Sequence, residues 1–334
     1  MDENEVLRRY NQGERNFRCL NLTAANLIGV NLTRSDLSGA ILKDAALARA
    51  HLERCYLSEA NLNGAFLYGT DLSFVKLKFG QLIEADLTKA NLNGAYLARA
   101  DLKGAKLSGA ILNWVTLYGA NLAGVNLCGA NLNGINLRCA NLEGANLNWT
   151  NLSGARLSGA NLKGAQMQDV KLKGAFLNGL NLQGINFSGM ELSEIKLSGA
   201  SLQDTDMTGS DLNGAQMRFS KLDRAQLKNA DLHESILKGA SLIEANLMKT
   251  DLRDVDLRGA DLSHCNLNLA NLAGADLTGA NLQGAYLWGA NLDGAVLKGA
   301  DLSGASLRGA IITGVDLQDV LLLGTTMADG SIYN

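Results

Sequence analysis

Ala120-Asn121-Leu122-Ala123-Gly124, Ala130-Asn131-Leu132-Asn133-Gly134 and Ala160-Asn161-Leu162-Lys163-Gly164 state one five-residue beat that runs almost from end to end of this chain. From position 17 to position 332 the leucine register has 64 slots, and leucine fills 56 of them. The other eight are Phe17, Met167, Phe187, Met207, Met217, Ile312, Met327 and Ile332, all apolar. An internal repeat this strict decides the architecture before any local propensity does.

A period of five suits neither common element. Leucines five apart wander around an α-helix without forming an apolar stripe, and in a straight strand an odd spacing sends successive leucines to opposite faces. The chain must therefore turn once per repeat so that every leucine points to one axis. The residue two before each leucine is usually small (Ala25, Ser35, Ala40, Ala45, Ala50), as suits an inward neighbour on the same short extended segment. The residue two after it is often glycine, as at Gly29, Gly39 and Gly64, where a tight corner is needed. Each unit is then one side and one corner, and four corners close a coil of about twenty residues. With neighbouring strands about 4.8 Å apart, roughly sixteen coils are expected to stack into a rod on the order of 75 Å long. Parallel crossovers turn right-handed, so the coil is expected to do so too. One coil cannot offset the ordering of its own backbone, and stability must be shared along the stack. The chain has no proline, as suits a backbone whose amides are needed between coils.

The Ala-Asn-Leu units quoted above resemble the pentapeptide-repeat family of cyanobacterial type, over residues 15–332. The resemblance implies an all-β fold, a right-handed quadrilateral parallel β-helix (solenoid), with leucine and the small residue inside. It implies much less about activity. A single repeat domain is expected over residues 1–334: an N-terminal helical cap over 1–14, repeats over 15–326 and a C-terminal cap over 327–334. Residues 3–12 read as a short helix covering the first coil, with Asp2 or Asn4 to cap it and Gly13 to end it. Val6, Leu7 and Tyr10 share one face of that helix. The stretch from Tyr10 to Phe17, with Gly13 and Arg15, is similar to the entry segment of cyanobacterial members. Towards the C-terminus the pattern loosens: Leu321 and Leu323 occupy outward slots, where they are candidate cap or dimer contacts, and Asp329-Gly330 reads as a turn.

Composition narrows the function classes. The 33 acidic and 30 basic residues leave a formal net charge of −3, which speaks against a strongly basic nucleic-acid binder, so no direct nucleic-acid binding is expected. No apolar run approaches a membrane span, and the acidic start Met1-Asp2-Glu3-Asn4-Glu5 lacks a signal-peptide core, so a cytoplasmic protein is expected. Cys55 and Cys265 fall in the small inward column, whereas Cys19, Cys128 and Cys139 fall at outward or corner positions; the odd number fits a reducing compartment. His51, His233 and His264 sit on well-separated coils without metal-ligand spacing. No phosphate-binding loop or partnered nucleophile is evident. No enzyme activity, cofactor or metal is expected.

Function, on this reading, belongs to the surface columns, in which residues twenty apart stack. In the slot before each leucine, three sides carry Asn or Asp at 28 of 48 positions, and the fourth side at six of 16. The Asn and Asp columns read as structural, satisfying nearby backbone groups. The departing fourth side gathers aromatics: Tyr56 and Tyr96 in the column, Phe74 and Trp114 at one corner, Tyr118 beyond a leucine and Phe79 at the other corner. These six are the candidate protein-contact or self-association surface. A second candidate is the acidic column Glu191, Asp211, Asp231 and Asp251, flanked by Glu194, Glu234 and Asp254 and diluted by Arg253, Lys228 and Lys249. The reading is a non-enzymatic structural or protein-interaction rod, a monomer or weak homodimer whose partner is another protein. The alternative is a DNA-mimic inhibitor or protector of a topoisomerase such as DNA gyrase, since some relatives protect gyrase by presenting an anionic rod.

Overall fold

Each repeat offers five backbone N–H groups, and where Asn or Asp precedes the leucine the fold gives every one a destination. In the repeat around Leu122, Asn121 N–H donates to Ala100 of the preceding coil at 3.0 Å, and Leu122 and Gly124 donate to Asn141 and Glu143 of the following coil at 2.7 and 2.8 Å. Val125 closes the corner by donating to Leu122 at 3.1 Å. The fifth N–H, that of Ala123, donates to the side-chain Oδ1 of Asn121 at 3.3 Å. That last bond recurs along the chain, for example from Ser73 to Asp71 at 2.9 Å, Cys128 to Asn126 at 3.1 Å and Ser303 to Asp301 at 2.9 Å. The Asn and Asp columns are therefore the side-chain half of the backbone hydrogen-bonding scheme, an Asx turn at the start of each corner.

The computed structural model describes residues 3–334. Their contacts divide into two compact units, Met1–Lys171 and Leu172–Asn334. In unit 1, parallel bridges link residues twenty apart from Asn16↔Asp36 to Asn151↔Lys171. In unit 2 the same ladder runs from Phe176↔Lys196 to Ser306↔Thr326. Four bridge columns per unit, one per side, make each a quadrilateral parallel β-helix. The leucine register lines the interior from Phe17 to Leu307, with Leu27, Leu62, Leu122, Leu222 and Leu282 all wholly buried, and loosens beyond it, where Ile332 is exposed. The small column is buried beside it. Its threonines turn their hydroxyls back onto carbonyls, Thr70 donating to Leu47 at 2.7 Å and Thr250 to Leu227 at 2.8 Å, whereas the hydroxyls of Ser35 and Ser235 are buried without a partner among the described residues. Near the start of unit 1 this column carries Leu20 and Val30, and in unit 2 Ala175 is followed by Leu180, Ile185 and Met190, bulkier than the alanines that dominate elsewhere.

The second corner residue is held in the left-handed region in every regular repeat, at φ near +67° for Gly94 and also at +59° for Trp114. Non-glycine residues pay for this conformation with steric strain. A large corner side chain is accommodated by glycine one coil later: a Cβ placed on Gly94 would meet the Phe74 ring at 2.6 Å, and one on Gly134 would meet the Trp114 ring at 2.5 Å. The rings lie against the backbone of the following corner.

The helix forms as expected. α1 (Glu3–Asn11) buries Val6, carries Glu3 and Glu5 in its first turn and Arg8 and Arg9 in its last, and is followed by Gly13, whose φ is +95°. Asp2, one of the two expected caps, lies outside the described residues. Tyr10 Oη donates to Asn31 Oδ1 at 3.1 Å, and Arg15 donates to the Tyr10 carbonyl at 2.8 Å while its guanidinium lies 3.8 Å from the Tyr10 ring centroid. At the other end the side through Asp316 leaves the ladder, opening a cleft of about 420 Å³ lined by Val296, Lys298, Asp316 and Asp319. The chain then returns: Asp329 Oδ1 accepts from Ser331 N–H at 2.9 Å, Thr326 pairs antiparallel with Ile332, and Tyr333 N–H donates to the Thr325 carbonyl at 2.9 Å. No helix is long and apolar enough to cross a membrane among the described residues.

Candidate protein-contact surface

The side of unit 1 built on Phe17, Leu37, Leu57, Leu77, Leu97 and Leu117 presents its outward slots as Asn16, Asp36, Tyr56, Lys76, Tyr96 and Thr116. Asp36 and Asn136 keep the Asx bond, to Ser38 at 3.0 Å and to Arg138 at 3.3 Å. Tyr56, Lys76 and Tyr96 have no carboxylate or carboxamide with which to make it. This side therefore gives up, over the successive coils of Tyr56, Lys76 and Tyr96, a backbone bond that the other sides of unit 1 give up only at scattered positions such as Ile41, Gln81 and Ile111 or over shorter runs such as Ala46 and Phe66. All six aromatic candidates, Tyr56, Phe74, Phe79, Tyr96, Trp114 and Tyr118, are exposed here, Trp114 most of all at 68%. Shallow clefts lie among them, one of 260 Å³ between Arg54, Tyr56, Phe74 and Lys76 and one of 330 Å³ between Arg15, Asn16, Arg34, Asp36 and Tyr56.

Exposed aromatics also occur elsewhere. Trp149 donates through Nε1 to Asp169 at 2.8 Å, Phe219 lies over Gly239, and Tyr286 and Trp288 are exposed in unit 2. Most of the cations that lie over rings are on the first side, although Lys89 lies 5.9 Å from the Tyr68 ring centroid on another. Arg54 lies 5.6 Å from the Phe74 ring centroid, Lys76 5.9 Å from Tyr96, Lys78 4.8 Å and Arg99 5.9 Å from Phe79, and Arg138 5.9 Å from Tyr118. These cations were not among the residues expected from sequence. The signal was available in the corner columns, where Arg34 and Arg54 precede Phe74 and where Arg99 follows Phe79 at the twenty-residue interval.

The acidic column lies in unit 2, where Glu191, Asp211, Asp231 and Asp251 are bridged in succession. Three of its carboxylates serve the fold: Asp211, Asp231 and Asp251 accept from the N–H groups of Asn213, His233 and Arg253 at 3.0–3.1 Å. Arg253 also pairs with Asp251 at 2.6 Å, and this hydrogen-bonded ion pair holds the Asp251 carboxyl below its ordinary range. Asp256 is lowered in the same way by Arg258, and Asp204 by Arg224. Leu321 and Leu323 are exposed, as their outward slots require. Among the described residues no group of His, Cys, Asp and Glu has the arrangement of a metal site. Burial pushes the Cys55 thiol up to about 12 and raises Cys265 further, so both are fillers of the small column.

The family description "Pentapeptide repeats (8 copies)" matches this chain in ten overlapping segments that together run from residue 16 to residue 319 with a single-residue gap at 190. No curated protein matches it by sequence. Among solved structures, the chain is similar to HetL of the cyanobacterium Nostoc sp. strain PCC 7120, a pentapeptide repeat protein involved in heterocyst differentiation regulation. The identity is 27% over the full length of both chains, with a TM-score of 0.32. It is also similar to full-length QnrB1, a plasmid-mediated fluoroquinolone resistance protein, at 16% identity over 65% of this chain and 92% of that one, with a TM-score of 0.22. A pentapeptide repeat protein of the Arabidopsis thaliana thylakoid lumen is 30% identical over 39% of this chain and 70% of its own, with a TM-score of 0.16.

Proposed function

This chain belongs to the pentapeptide repeat family, whose right-handed quadrilateral β-helix is the architecture of both units, and on that premise we propose that it is a non-enzymatic interaction scaffold. Its contact surface is the side of unit 1 that carries Tyr56, Phe74, Phe79, Tyr96, Trp114 and Tyr118, and its partner is another protein. One observation carries this reading. Along this side Tyr56, Lys76 and Tyr96 stand where Asn or Asp would complete the backbone bonding, and exposed rings occupy the surface instead. Departures from a fold's own local rules are expected where function is placed. Tyr and Trp at the centre of a contact region are the residues most often responsible for binding energy.

The test is affinity capture from the source cell with the wild type and with Tyr96→Ser/Trp114→Ser. Both substitutions lie on the surface, so the double variant should keep the wild-type circular dichroism spectrum. The proposal expects at least one stoichiometric partner to fall by about tenfold or more, as loss of two anchoring rings would cause. An unchanged set of partners in unchanged amounts would sink it.

A further inference from the structure

We infer that the partner presents an acidic surface to this side, an inference that rests on the contact surface proposed above. Residues 1–171 hold 18 Lys and Arg against 14 Asp and Glu, a net of +4, whereas residues 172–334 hold 12 against 19, a net of −7. The positive charge of unit 1 collects where the rings are: Arg34, Arg54, Lys76, Lys78, Arg99 and Arg138 are all exposed on this one side. None of the six forms an ion pair with a carboxylate among the described residues; the carboxylates of the side and its corners are Asp36, taken by Arg18 at 3.1 Å, Glu14, taken by Arg9, Glu53, which accepts from Thr33 at 2.8 Å, and Glu59. In unit 2 some arginines are neutralised locally, as Arg224 is by Asp204 at 2.7 Å and Arg258 by Asp256 at 2.8 Å, whereas Arg218, Lys238 and Lys249 are unpaired among the described residues but have no aromatic ring beneath them. Unneutralised cations interleaved with aromatics form a surface complementary to carboxylates set among apolar groups.

The geometry favours a protein over a single-stranded nucleic acid. A nucleic-acid strand would need open ring faces on which bases stack. Here the chain's own cations lie over Phe74, Tyr96, Phe79 and Tyr118, and Phe74 and Trp114 each turn one face to a glycine of the following corner. The net charge of the unit is also modest for a phosphate-tracking surface.

The probe is a fluorescein-labelled peptide of about twenty glutamates, with a thymidine oligonucleotide of equal charge as its counterpart, both titrated by anisotropy at about 0.05 M salt. The wild-type chain should bind the peptide more tightly than the oligonucleotide. Arg54→Ser/Lys76→Ser/Arg99→Ser should weaken peptide binding by about tenfold or more. Arg218→Ser/Lys238→Ser/Lys249→Ser, which removes as much charge from unit 2, should leave it within about twofold. Absence of peptide binding, equal losses in the two triple variants, or tighter binding of the oligonucleotide would each overturn the inference. If the first triple variant binds the peptide normally while Tyr96→Ser/Trp114→Ser still loses its cellular partner, the contact surface stands and only the acidic character of its partner falls.

Discussion

At the scale of single residues, the corner is where this fold stores its strain. Lys249 sits in the left-handed region at φ +58° with its side chain in solvent. Lys249→Gly should raise stability by up to about 1 kcal/mol, since relief of the backbone strain outweighs the greater freedom of glycine in the unfolded chain. Denaturant titration of the two proteins measures the difference. The opposite substitution should fail where a ring covers the glycine. Gly94→Ala places a methyl group 2.6 Å from Phe74 at φ +67° and should cost about 1–3 kcal/mol, part of it restored in Phe74→Ala/Gly94→Ala. Thiols report the inside and outside of the same repeat. Cys19 and Cys139 should react with iodoacetamide in the native protein, whereas Cys55 and Cys265 should not until it unfolds; mass spectrometry of the labelled peptides distinguishes the two classes.

At the scale of the repeat, the unit of stability is a side with its five assigned N–H groups. Asn121→Pro would remove the donor that reaches Ala100 at 3.0 Å as well as the Asx cap of Ala123, and should cost about 3 kcal/mol or more. The carboxylates that pair with arginine make the scheme sensitive to acid. Asp251 and Asp256 are held below the ordinary carboxyl value of 3.8 by hydrogen bonds from Arg253 and Arg258. Their contribution to stability is full above that value and is lost as pH falls through their lower folded values. Stability should therefore decline below about pH 4. Replacing Arg253 and Arg258 by glutamine should flatten that decline in acid-denaturation curves. The side, corner and small inward column were legible in the sequence because the five-residue beat allows no other economical reading. The meaning of the Asn and Asp columns was legible only in outline. Which N–H they satisfy depends on the corner geometry, and that emerges once Ala123 is seen to be the one amide without a backbone acceptor.

At the scale of the molecule, the leucine register passes through Lys171 and Leu172 without insertion or loss. The single repeat domain read from the sequence then predicts one cooperative unfolding transition for the whole chain in calorimetry; two resolved transitions would assign separate stability to Met1–Lys171 and Leu172–Asn334. The two compact units were not legible from the leucines. A hint stands in the small column, where Leu180, Ile185 and Met190 follow one another near the opening of unit 2. The aromatic half of the contact surface could be read by stacking residues twenty apart, but its cationic half could not be read from composition. A net charge of −3 conceals a basic first unit and an acidic second one. The central claim is that function resides on the Tyr56–Tyr96 side of unit 1. The most direct measurement of it places a photo-crosslinking residue at Trp114, and separately at Ile111 on the neighbouring side, in the native cell. The account predicts a defined protein adduct from Trp114 and none from Ile111; equal adducts from both positions, or an adduct from Ile111 alone, would contradict it.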